Sequence, residues 1–165
     1  MEASMSYKRI LVPVDGSPTS NAGLKEALKL ARAPHAKLCL LHIMDEHMIF
    51  ISPEAAPNMQ VILDAMRSDG AKVLKRAAQA ALAAGVRAQT ALAESRGSRV
   101  SDTVVREAKR WRADIIVMGT HGRRGVNRLI MGSDADLVVR YAGVPVLLVH
   151  GRAPAKRSAA RKKGK

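Results

Sequence analysis

Short apolar runs alternate with stretches of helical spacing along most of the chain. The first run, Ile10 to Val14, is nearly continuous in hydrophobic residues and ends in Asp-Gly-Ser. That pattern fits a strand buried on both faces, as in a parallel sheet. Ser17 and Pro18 read as an N-cap and a first helical position, after which Leu24, Ala27, Leu28 and Ala31 recur at helical spacing. A second strand is expected over Leu38 to Ile43. Residues 44–58 show no period, carry two prolines and read as a long connection. Helical spacing resumes through Val61, Leu63, Met66, Val73, Leu74, Ala77, Ala78 and Ala81, with Gly70 expected to weaken or bend the helix and Gly85 to end it. Val86 to Leu92 alternates instead of running apolar, so it is the weakest strand and is placed at a sheet edge. Ser101 reads as the cap of a helix that buries Val104, Val105, Ala108 and Trp111. A fourth strand runs from Asp114 to Gly119, a helix from Ser133 to Ala142, and a last strand from Val144 to Val149.

Strands alternating with helices in this way predict one α/β domain with a parallel sheet, spanning residues 1–151. At 165 residues the chain is long enough to bury a substantial core. The apolar runs are short and interrupted by charge, so no membrane span is expected, and the first residues do not read as a signal peptide. The single cysteine, Cys39, lies inside an apolar run and reads as a buried hydrophobe in a reducing compartment, which points to the cytoplasm.

Charge changes the picture only at the C-terminus. The formal net charge is +14, and half of it comes from seven Lys and Arg in residues 152–165, RAPAKRSAARKKGK, which contain no acid. This tail is expected to be disordered. It reads as a solvated segment or as a contact for nucleic acid or another polyanion. The four aromatic residues are too scattered for a base-stacking platform, so nucleic acid is not expected elsewhere on the chain.

The densest candidate chemistry is GTHGRRGVNRLIMGS, residues 119–133. Open parallel sheets bind ligands beyond the C-terminal ends of strands at a switch in winding direction. If strands one and four are neighbours, VPVDGS and VMGTHG line the same crevice. Gly119 would let the chain leave the strand sharply, and Gly122 and Gly125 would turn amides inward around an anion. Gly132 and Ser133 open the last helix, whose unpaired N–H groups favour negative charge. Arg123, Arg124 and Arg128 add positive potential. The plainer alternative is that the glycines only make turns and the arginines are solvated. Neither G-x-x-x-x-G-K-[ST] nor G-x-G-x-x-G is present, which excludes the P-loop and the dinucleotide fingerprint.

The spacing Gly119-x2-Gly122-x9-Gly132-Ser133, with KRILVPVDGS, LLHIMDE and MGSDADLVVRYAGVPVLLV around it, resembles the nucleotide-binding branch of the universal stress protein family. The resemblance covers nearly the whole chain outside the first residues and the basic tail. It implies a five-stranded sheet of order 3-2-1-4-5 with helices on both faces, binding ATP at the strand-one/strand-four crevice, with ADP or AMP as alternatives. Carried over by position, Pro13, Val14 and Asp15 would lie along the adenosine and Ile43 would meet the adenine. Met118 and Gly119 would contact the nucleoside, and His121, Gly122, Arg123, Gly132 and Ser133 would surround the phosphates. It further implies a stress-response or regulatory role and a homodimer pairing its last strands, Val144 to Val149. One departure stands out: Asp134-Ala135 follows Gly-Ser where a small apolar and then a hydroxyl residue are usual. Ala135 removes a phosphate donor. Asp134 either repels polyphosphate unless Mg²⁺ bridges them or serves as an N-terminal carboxylate of its helix, the preferred reading.

The remaining histidines and methionines read as packing: His42 as a satisfied core residue, and Met44, Met48, Met59 and Met66 as core. No structural metal is expected. No base for phosphoryl transfer stands out, and VDGSPTS lacks the S-G-G-x-D-S loop of adenylating pyrophosphatases. Three function classes follow, in order: a nucleotide-binding regulatory module, a slow ATP hydrolase, and a polyanion binder acting through the tail.

Overall fold

The computed structural model describes residues 7–33, 35–46, 58–120 and 131–150. Nine elements alternate along it: β1 (Arg9–Pro13), α1 (Pro18–Leu30), β2 (Lys37–Met44), α2 (Met59–Ala83), β3 (Ala88–Glu94), α3 (Val100–Trp111), β4 (Ile115–Gly119), α4 (Ser133–Tyr141) and β5 (Val146–Val149). The strands form one all-parallel sheet in the order β3-β2-β1-β4-β5. The expected α/β class and strand order are therefore found.

Alternation along the central strands sends side chains to two separate cores. Ile10, Val12, Leu38, Leu40, Ile115 and Val117 meet α1 and α2 on one face. Leu11, Cys39, Leu41, Ile116 and Met118 meet α3 and α4 on the other. Because both faces are covered, β1 is apolar from Ile10 to Pro13 and β4 throughout, as a buried parallel strand requires. β3 lies at an edge, as its weak pattern predicts, two residues later than expected at each end. β5 starts at Val146, two residues after the expected Val144.

Asp114 ties the starts of the two central strands together. Its Oδ2 accepts from the Lys8 amide at 2.7 Å and its Oδ1 from the Arg9 amide at 3.0 Å. Arg9 donates Nε–H to the Trp111 carbonyl at 2.8 Å, and its guanidinium lies over the Trp111 ring, 4.5 Å from the centroid. The indole N–H donates to Gln89 Oε1 at 3.0 Å, so Trp111, on the buried side of its helix as expected, packs against the core while its polar tip is satisfied.

Two local readings are corrected, and a third gains a tertiary reason. Gly70, expected to weaken or bend its helix, lies within one that is continuous from Met59 to Ala83. Its missing side chain makes room for neighbours: an added Cβ would sit 2.7 Å from His42 Cδ2 and 2.7 Å from Leu92 Cδ1. Gly119 is still part of β4, and a Cβ there would lie 2.7 Å from the Thr19 carbonyl carbon. Close approach of α1, not a sharp exit from the strand, is what requires glycine at that position. Ser101 is not a cap. α3 starts at Val100 with Arg99 in the cap position, and Arg99 makes no side-chain capping bond.

Candidate functional site

The crevice begins with the turn after β1. Val14 N donates to the Leu41 carbonyl at 2.8 Å, which carries the parallel pairing one residue past the strand. Asp15 Oδ1 accepts from Ser17 N at 2.9 Å, an Asx turn that starts the helix. Ser17 caps α1 as expected, its Oγ accepting from Ser20 N at 3.1 Å, with Pro18 in the first helical turn. Ser20 Oγ in turn accepts from Asp15 N at 3.1 Å. These reciprocal bonds hold the Asp15 backbone and one carboxylate oxygen in place.

β2 supplies the next wall. His42 is buried, and its Nδ1 lies 2.7 Å from the Val14 carbonyl oxygen. It is the satisfied core residue expected, but it also lines the crevice. The opposite wall comes from the end of β4. Thr120 N donates to the Val149 carbonyl at 3.1 Å and Gly132 N to the Thr120 carbonyl at 2.9 Å, which brings the start of α4 back beside the strand. Gly132 occupies the cap position of α4, and Asp134 and Asp136 lie in its first turn.

Between these walls is a cavity of about 720 Å³, within the usual range for small-molecule sites. It is bordered by Pro13, Val14 and Asp15 after β1, by Ile43 on β2, and by Met118 and Gly119 on β4. Gly132, Ser133, Asp134 and Ala135 border it at the start of α4. Ten residues singled out from the sequence thus face one space. His121, Gly122 and Arg123 lie outside the described residues, as do Arg124, Gly125, Arg128 and the basic tail.

Other lining residues carried no such signal. Met44 and Met66, read as packing, border the cavity, as do Asp45, Asp69, Val100 and Val104. Only their placement in the fold brings them there. The lining includes four carboxylates, Asp15, Asp45, Asp69 and Asp134, and no Lys or Arg among the described residues. Asp69 is offset by Lys72 Nζ at 2.9 Å. Asp134 is in the first turn of its own helix, as read from the sequence, but its side chain also serves another. Its Oδ1 accepts from Ser101 N, in the first turn of α3, at 3.3 Å.

The parallel sheet thus places its cavity at the C-terminal ends of β1 and β4, the position at which open α/β sheets of this winding bind ligands. The universal stress protein family model matches residues 6–150, and the chain belongs to that family. It is 32% identical over 143 residues to the universal stress protein MJ0531 of Methanocaldococcus jannaschii, covering 87% of this chain and 82% of that one. A solved universal stress protein family structure from Burkholderia pseudomallei is 33% identical with a TM-score of 0.71, covering 89% of this chain and 98% of that chain. A structure from Archaeoglobus fulgidus in complex with dAMP (23% identical, TM-score 0.63, covering 88% and 99%) shares the fold. So does an Arabidopsis thaliana protein with AMP bound (20%, 0.63, covering 90% and 97%). A further universal stress protein was solved in complex with cAMP. No helix among the described residues is long and apolar enough to cross a membrane.

Proposed function

We propose that this protein is an adenine-nucleotide-binding regulatory module of the stress response, with ATP as its ligand and ADP or AMP as alternatives. The observation that carries this reading is the convergence of Val14, Asp15, Ile43, Met118, Gly119 and Ser133 on one cavity at the sheet's switch point. Relatives of the same fold solved with cAMP, dAMP and AMP support it. Asp15 is the residue proposed to engage the ribose, and the β2 end around Ile43 the adenine. The start of α4 at Gly132 and Ser133, with His121, Gly122 and Arg123, would receive the phosphates. Where a triphosphate binds, Mg²⁺ would accompany it.

The working unit is proposed to be a cytoplasmic homodimer formed through the last strand. Among the described residues β5 pairs with β4 alone, leaving its other edge open, and Leu147, Val139 and Tyr141 are exposed near it. An open apolar strand edge favours pairing with a second chain. Occupancy of the crevice would then alter the dimer or a partner surface.

Titration calorimetry on nucleotide-free protein tests the core of the reading. Saturable binding of ATP or AMP, lost when Asp15→Ala removes the carboxylate, is the expected outcome. No heat with adenosine, AMP or ATP, with or without Mg²⁺, would overturn it.

A further inference from the structure

One end of the crevice is built from two helix starts that lack side-chain caps of their own. Arg99 at the cap of α3 makes no capping bond, and Gly132 at the cap of α4 has no side chain to make one. The first N–H groups of a helix carry partial positive charge and seek an anion. Asp134 meets both needs, from within the first turn of α4 and through the 3.3 Å bond to Ser101 N of α3. The same residue borders the cavity. Ser101 also carries a buried Oγ that has no hydrogen-bond partner among the described residues, so bonding capacity beside Asp134 is unused. The position most attractive to a ligand's negative charge already holds one, attached to the chain. Next to it, Ala135 is buried and offers no hydroxyl.

Resting on the nucleotide reading above, we infer that Asp134 is a specificity-determining tethered anion that makes polyphosphate binding depend on a divalent cation. Phosphates placed at the start of α4 lie close to its carboxylate, in a lining that also carries Asp15, Asp45 and Asp69. Mg²⁺ takes carboxylate and phosphate oxygens together, so it converts the repulsion into a bridge. Free ATP is therefore disfavoured, Mg²⁺-ATP accepted, and adenosine indifferent to Asp134.

Calorimetry with adenosine, AMP and ATP, each in EDTA and in Mg²⁺, on wild type and Asp134→Asn tests this. Asparagine keeps an oxygen for Ser101 N–H and removes the charge. In EDTA the substitution should tighten ATP binding about tenfold and leave adenosine within about twofold. In Mg²⁺ the gain should disappear, because the wild-type affinity for ATP rises. If Asp134→Asn does not fold, Asp134→Ser, which also keeps an oxygen near Ser101 N–H without the charge, takes its place in the same comparison. Equal ATP affinity with and without Mg²⁺, while adenosine or AMP binds, would overturn the inference and leave the nucleotide reading standing. Absence of binding by all three ligands would overturn both.

Discussion

His42 Nδ1 lies 2.7 Å from the Val14 carbonyl oxygen, and because a carbonyl can only accept, the imidazole donates there. The bond links β2 to the turn after β1 and fixes the ring inside the crevice wall. On the ring's other side there is room only for glycine. A Cβ on Gly70 would come within 2.7 Å of His42 Cδ2 and 3.3 Å of Nε2. Two strands and one helix therefore share a single steric arrangement at the site.

Gly70→Ala separates local from tertiary preference. Alanine should favour an isolated helix by about 1 kcal/mol. Pushing the pinned imidazole and Leu92 aside should cost about 1–3 kcal/mol, so a net loss of stability is expected in urea unfolding. Nucleotide affinity should fall with it, since the displaced ring lines the crevice. A variant more stable than wild type would show that helix propensity dominates.

Gly119→Ala should be worse tolerated. The new methyl would meet backbone, the Thr19 carbonyl carbon at 2.7 Å and oxygen at 2.8 Å, which cannot rotate away. Gly23 makes the matching approach, its added Cβ meeting Gly119 N at 3.1 Å. A loss of about 1–3 kcal/mol is expected from overpacking, with α1 displaced from β4. Unchanged urea midpoints would refute the contact.

Ser17→Ala removes the acceptor for Ser20 N and should cost about 0.5–2 kcal/mol, the usual loss for an N-cap. Ser17→Asp should recover most of it. If both variants match wild type in thermal unfolding, the cap contributes nothing to α1.

Burial, followed by the nearby Glu107 carboxylate, pushes the Cys39 thiol up to about 11 from 9.0. Labelling by a disulfide reagent at pH 8 should be slow in the native protein and complete in denaturant. Between pH 9 and 11 the unfolded chain loses this proton while the folded chain keeps it, so stability should fall as pH rises. Cys39→Ala should remove that component of the slope. Fast native labelling would contradict the burial.

The sequence disclosed what neighbouring residues decide and concealed what distant ones decide. The runs at Ile10–Val14 and Ile115–Met118 were legible because two-sided burial leaves no polar position within them. Ser17 was legible as a cap because its bond partner is three residues away. The capping of α3 was not, because its acceptor, Asp134, stands 33 residues beyond the amide it serves. Gly70 looked like a weak point for the same reason: its purpose lies in His42 and Leu92, which the helical pattern does not contain. β3 was misplaced by two residues because Ala88, Ala91 and Ala93 give only a faint apolar signal at an edge. Asp69 and Met66 enter the crevice only because α2 packs across β2 and β3, which spacing along the chain does not reveal.

The position of β1 between β2 and β4 has a consequence for synthesis. Its first partner follows it within about one helix of chain, but the second begins at Ile115, and Lys8 and Arg9 wait for Asp114. The nascent polypeptide must carry one side of this apolar strand unpaired until about three-quarters of the domain has been made. No ligand can help it through that interval, because the crevice wall made by β4 and the start of α4 has not yet been translated.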